Sequence, residues 1–161
     1  MGMGGTMIAQ LKTFGLLFVL SAVAFNLLIT AIFVAQKYRR EKLVRTFGIL
    51  WLCLIVPLSL VFVAYQREGR PAKILIYLLL VFFYMLVELL LDYVFKIDFR
   101  ARLSTHIPYI ILEYVALFSL IAIGFDISQF AGTMVSISFW VAMGGLVFLY
   151  WDRIVKINKK R

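Results

Sequence analysis

The chain has 161 residues, of which 64% are hydrophobic and only 16% charged, and its mean hydropathy is +1.00. A soluble domain carries roughly 45–50% apolar and about 25% charged residues, so this sequence lacks the polar surface that water demands. The net charge of +9 would suggest nucleic acid in a soluble protein. In so apolar a chain it reflects loops facing anionic lipid, and no nucleic-acid partner is expected.

Five apolar runs follow one another. The first covers residues 14–36 and is followed by the basic stretch 37–45. The second, 47–66, contains Pro57, which removes a backbone donor in mid-span and is expected to kink the helix. A polar link, 67–73, precedes the third run, 74–95, and a basic connector, 96–106, leads to the fourth, 107–125. A link at 126–133 precedes the fifth run, 134–151, and the tail 152–161 is basic. About 20 apolar residues cross a bilayer, and in hydrocarbon each backbone polar group must be paired within its own segment. The expected fold is therefore an all-α membrane protein, a compact bundle of five transmembrane helices forming one polytopic domain over residues 1–161.

Charge sets the expected orientation. Five spans put Lys37, Arg39, Arg40, Lys42, Arg45, Lys96, Arg100, Arg102, Arg153, Lys156, Lys159, Lys160 and Arg161 on one side, thirteen of the 17 basic residues. Only Lys12, Arg67, Arg70 and Lys73 fall on the other. The positive-inside rule then places the N-terminus outside and the C-terminus in the cytoplasm of a cell, in the plasma (inner) membrane. Tyr38, Trp51, Tyr150 and Trp151 fall near the inner boundary and Tyr65 near the outer one, where interfacial aromatics belong. The opening Met1-Gly2-Met3-Gly4-Gly5-Thr6 fits a myristoylation pattern, and Ala22-Val23-Ala24 resembles a cleavage site. The first conflicts with an outside N-terminus and the second with a hydrophobic run unbroken to Gln36, so an uncleaved first helix is expected. Small residues on the first helix (Ser21, Ala24, Ala31, Ala35) and the fifth (Ser138, Ala142, Gly144, Gly145) let helices approach closely, most simply within the bundle.

The chemistry-bearing residues are few. The single cysteine, Cys53, and the single histidine, His106, exclude an intrachain disulfide, a CxxC motif, bis-histidine haem ligation and HExxH. Cys53 is expected to be an inert core thiol and His106 an interfacial residue at the start of the fourth helix. There is no glycine-rich phosphate loop and no GxSxG elbow, and no cofactor is expected. Acidic residues inside a span cost on the order of 2.5–3.5 kcal/mol each at the bilayer centre. Three occur: Glu88 and Asp92 on the third helix and Glu113 on the fourth. Tyr84, Glu88, Asp92 and Lys96 recur every four residues and form one stripe, as do His106, Tyr109 and Glu113 on the next helix. Glu88 and Glu113 lie roughly 12 and 10 Å from the connector that joins the two helices, so they sit at similar depth. Asn26 on the first helix lies at a comparable depth, roughly 15 Å in.

Two carboxyls brought together cannot both ionise cheaply, and share a proton or hold a cation. Tyr84 and Tyr109 can donate hydrogen bonds to whichever carboxyl is charged. The sequence thus points to a small transport- or channel-type bundle that uses Glu88, Glu113, Asp92, Asn26, Tyr84 and Tyr109 to bind a proton, a cation or a cationic small substrate. The blander readings are an Asp92–Lys96 pair near the headgroups and glutamates that merely anchor helices to Tyr or Asn. Two further functions fit the same residues: an accessory subunit whose acids meet a partner membrane subunit or a second copy, and an intramembrane lipid-modifying enzyme.

Overall fold

Hydrocarbon leaves a peptide group no partner beyond its own segment, and each apolar run is helical accordingly. The computed structural model describes the backbone of residues 3–95 and 103–158 and the side chains of residues 13–95 and 107–151. The helices are α1 (Met3–Lys37), α2 (Glu41–Cys53), α3 (Ile55–Arg67), α4 (Ala72–Glu88), a π-helical turn (Leu89–Val94), α5 (Leu103–Ile127) and α6 (Gln129–Asn158). Five stretches are long and apolar enough to cross a membrane: Thr13–Lys37, Glu41–Arg67, Ala72–Val94, Ile107–Ile127 and Gln129–Trp151. Among the described residues these make five candidate spans of an integral membrane protein, α2 and α3 together forming the second.

The spans close into a ring in chain order. α1 packs on α2 and α3, α3 on α4, α4 on α5, α5 on α6, and α6 returns to α1, which also touches α5. Each span buries between 28 and 33% of its most apolar window, so none serves as a fully enclosed central helix. Of the small residues, Ser21, Ala35, Ser138, Ala142 and Gly145 are buried, and a Cβ on Gly145 would lie 3.1 Å from Thr30, whereas Ala24 and Ala31 are half-buried and Gly144 is exposed with open space beside it. Asn26 crosses the same seam and donates to Ser138 Oγ at 2.8 Å. Part of the ring is filled by side chains such as Phe18, Leu58, Val61, Leu78, Leu120 and Ile123, each inaccessible to solvent.

The second span is interrupted at Leu54, three residues before Pro57. A proline there leaves the Cys53 carbonyl without its i+4 donor, and Leu54 N–H turns instead to Trp51 O at 3.1 Å. Residues 126–133, expected as a link, are almost wholly helical. Ser128 alone separates α5 from α6, and its hydroxyl accepts from Ala131 N–H at 3.0 Å as an N-cap. The turn can be this tight because Gly124 and Gly132 let the helices touch: a Cβ on Gly124 would lie 3.0 Å from Gly132 Cα and 3.3 Å from Ala131 O. Backbone cannot swing aside as a side chain can, so Gly124→Val is expected to destabilise by about 1–3 kcal/mol. The check is the thermal midpoint in detergent; an unchanged midpoint would mean that the turn opens without cost.

Other departures follow from which way a helix faces. α2 turns Gly48 and Trp51 inward, so Cys53, two residues on, faces outward and is exposed rather than a core thiol. Trp51 and Tyr65, expected near the membrane boundaries, face into the bundle and are 2% and 1% exposed. At the end carrying the α3–α4 turn, Arg70 lies 5.1 Å over the Tyr65 ring and reaches Glu68 at 3.3 Å and Asp126 at 3.4 Å. Lys73 joins Asp126 at 3.6 Å.

Two helix ends share one hydrogen-bond pattern but not one residue type. After α3, Gly69 N–H bonds Gln66 O and Arg70 N–H bonds Tyr65 O, with Gly69 at φ +67. After α1, Arg39 N–H bonds Gln36 O and Arg40 N–H bonds Ala35 O, with Arg39 at φ +54. Both are Schellman caps, whose left-handed position favours glycine. A side chain there costs roughly 1–2 kcal/mol, which Arg39 bears and Gly69 avoids.

Candidate functional site

The filled core stops partway along the ring, and a cavity of about 240 Å³ opens beyond it. All five spans contribute to its wall: Phe33 and Gln36 from α1, Gly48 and Trp51 from α2, Tyr84 and Glu88 from α4, Tyr109 and Glu113 from α5, Met143 and Tyr150 from α6. It lies toward the end bearing the α1–α2 turn, where Arg39, Arg40 and Arg45 stand. Both glutamates singled out by their depth line this one cavity. Their convergence follows from antiparallel α4 and α5 packing side by side with each acid about two turns from the shared end.

The polar groups form an ordered chain. Tyr109 donates its phenolic proton to Glu88 Oε2. Tyr84 and Tyr109 hydroxyls lie 3.1 Å apart, and since a phenol has one proton to give, Tyr84 is the donor of that pair. Tyr84 and Tyr109 are 3% and 8% exposed, so this relay is shielded from bulk solvent. Tyr84 therefore reaches the carboxylate through Tyr109 rather than directly.

Aromatic rings make the floor. Trp51 lies tilted 4.8 Å from Phe25 and edge-on 5.5 Å from Tyr84, and Tyr84 lies 5.8 Å from Tyr109 (centroid distances). The indole N–H of Trp51 is buried with no acceptor among the described residues. Trp51 is the wall residue that sequence reasoning did not nominate, because a tryptophan four residues into the run 47–66, beside its basic flank, reads as an interfacial anchor. Only the neighbouring Gly48, which clears space beside it, hints at an inward face.

Two expected site residues are elsewhere. Asn26 is 1% exposed and bonded to Ser138; it holds α1 to α6 and does not line the cavity. Asp92 lines a separate cleft of about 710 Å³ with Gln36, Arg39, Arg40, Glu41, Val44, Arg45 and Tyr93. The cause is the π-helical turn that begins directly after Glu88. Its wider winding brings residue i+5, not i+4, back to the same face, so the stripe Tyr84–Glu88 continues to Tyr93 and Asp92 is turned aside. Tyr93 accordingly lines both the carboxylate cavity and the cleft, and its hydroxyl occupies the space where a Cβ on Gly48 would stand. No regular helical periodicity could have nominated it. The proposed partner of Asp92, Lys96, and the side chain of His106 lie outside the described residues.

The wall sets two carboxyls, Glu88 and Glu113, amid apolar and aromatic surface. Among the described residues no group of three His, Cys, Asp or Glu side chains comes together. Comparison of the chain with protein-family models, with curated proteins and with solved structures gives no match.

Proposed function

We propose that the protein is a small transport-type bundle that binds a cationic group between Glu88 and Glu113. The observation that supports this reading is that all five spans contribute side chains to one cavity holding both intramembrane glutamates. Carboxylates in hydrocarbon are costly, and concentrating two at one enclosed place is a usual mark of an ion or substrate path. The aromatic lining favours an ammonium over a multivalent metal, because ring faces attract diffuse cations while hard metal ions require more oxygen ligands. A proton competes for the same carboxyls. In this reading the basic end faces the cytoplasm of a plasma (inner) membrane.

The test is thermal unfolding of the detergent-purified protein against protons, metal cations and small ammonium ions, with Glu113→Gln alongside. At least one ammonium is expected to raise the wild-type midpoint, and the variant to lose that response. The response is expected to fade as pH falls, because protonated carboxyls hold no cation. A wild type indifferent to every cation would overturn the reading.

A further inference from the structure

The carboxylate cavity does not stand alone. The cleft beside it is lined by Arg39, Arg40 and Arg45, with Glu41 and Asp92 as its acids, and it shares Gln36 and Tyr93 with the cavity. The cleft thus sets three guanidinium groups beside two carboxylates, while the adjoining cavity has carboxylates and no guanidinium. Arg45 precedes the cavity residue Gly48 by three positions on α2, roughly 4.5 Å along the axis. A ligand bridging the two would need an anionic group at one end and an ammonium at the other.

We infer that the site takes a phosphate bearing an ammonium, a phosphoethanolamine-type group whose phosphate meets Arg39, Arg40 and Arg45 while its ammonium meets Glu88 and Glu113. This rests on the cation reading of the cavity and adds the second half of the ligand. Guanidinium groups suit phosphate because their paired N–H donors match its oxygens. None of the three arginines forms an ion pair with a described residue, so their donors remain to be used. A role as mere orientation signal asks only for positive charge near the helix end. It gives no reason to put a side chain at φ +54, where α3 uses glycine for an identical cap. The inner cavity, at about 240 Å³, is below the usual range for drug-sized ligands and suits a headgroup. Two sources supply such a group, an aminophospholipid of the surrounding bilayer or the free phosphoester in water.

Binding to the full chain in a neutral detergent is to be measured calorimetrically for ethanolamine, inorganic phosphate, free phosphoethanolamine and a short-chain phosphatidylethanolamine. At least one of the two phosphoesters is expected to bind about tenfold or more tightly than either half alone. Arg39→Gly with Arg45→Gln is expected to remove that advantage while leaving ethanolamine binding intact, and Glu88→Gln to remove ethanolamine binding. Arg39→Gly relieves a strained position, so an unfolding midpoint no lower than wild type shows that the loss is not misfolding. Tight binding of the lipid alone identifies the bilayer as source, and equal binding of the free ester identifies water; either upholds the inference. If ethanolamine binds as tightly as both esters and the arginine variant behaves as wild type, the inference fails while the carboxylate site stands. If phosphate alone accounts for all binding and Glu88→Gln changes nothing, the inference and the cation reading fall together. If none of the four binds, the inference is overturned, and the cation series above decides the cavity separately.

Discussion

Glu88→Gln is expected to abolish the ligand-dependent rise in unfolding midpoint while changing the ligand-free stability by no more than about 1 kcal/mol. The physical reason lies in what Tyr109 needs. Its hydroxyl donates to Glu88, and the amide oxygen of Gln accepts that bond from nearly the same place. What Gln cannot supply is negative charge. A ligand at a hundred times its dissociation constant stabilises by about 2.7 kcal/mol, and that whole increment should vanish. Glu88→Ala makes the contrast, since it leaves the buried Tyr109 hydroxyl without its acceptor and should cost about 1–3 kcal/mol with or without ligand. If the glutamates only anchor helices, wild type and Glu88→Gln will be equally unresponsive to cations, and only the alanine variant will differ. Uptake of the responding cation into proteoliposomes should follow the same order, with Glu88→Gln inactive and folded.

Trp51→Ala carries the largest expected loss of stability, about 3–5 kcal/mol. Trp51 is 2% exposed and sits between Phe25 and Tyr84, so its ring joins α1, α2 and α4 at one point. Truncation leaves a void against the existing cavity, where the surrounding helices have already made room and cannot close further without moving Tyr84. Lipid tails offer no hydrophobic drive toward recollapse, so lost van der Waals contact is lost outright. Trp51→Phe keeps most of that contact and should cost less than about 1.5 kcal/mol. It also removes an indole N–H that has no acceptor among the described residues. The measurement is the midpoint of both variants in one detergent. Equal losses would show that the N–H, rather than the ring's bulk, is what the site requires.

Much of the architecture was legible because a membrane restricts the choices so severely. Apolar run length predicts five helices, and five stretches of suitable length and apolarity are present. The depth of Glu88 and Glu113 could be read as well, since regular helices that share a connector keep equal steps from it. That argument reached Tyr109 and Tyr84 and failed at Asp92. The failure has a definite cause: one π-helical turn changes the winding between Leu89 and Val94, and every residue beyond Glu88 changes face. Hydropathy cannot reveal such a turn, because Leu89, Leu90 and Leu91 are equally content on any side.

The amino-acid sequence by itself determined the class of molecule, the number of spans and the two acids whose cost in hydrocarbon demands a reason. The tertiary structure alone decided that α6 closes on α1 and encloses those acids, and that Asn26 ties this seam. It alone turned Trp51 and Tyr93 inward, set Cys53 outward and placed Asp92 among arginines. The division has one physical origin. Transfer into hydrocarbon is a property of each segment and can be summed along the chain, whereas the facing of a side chain depends on winding and on which neighbour packs against it.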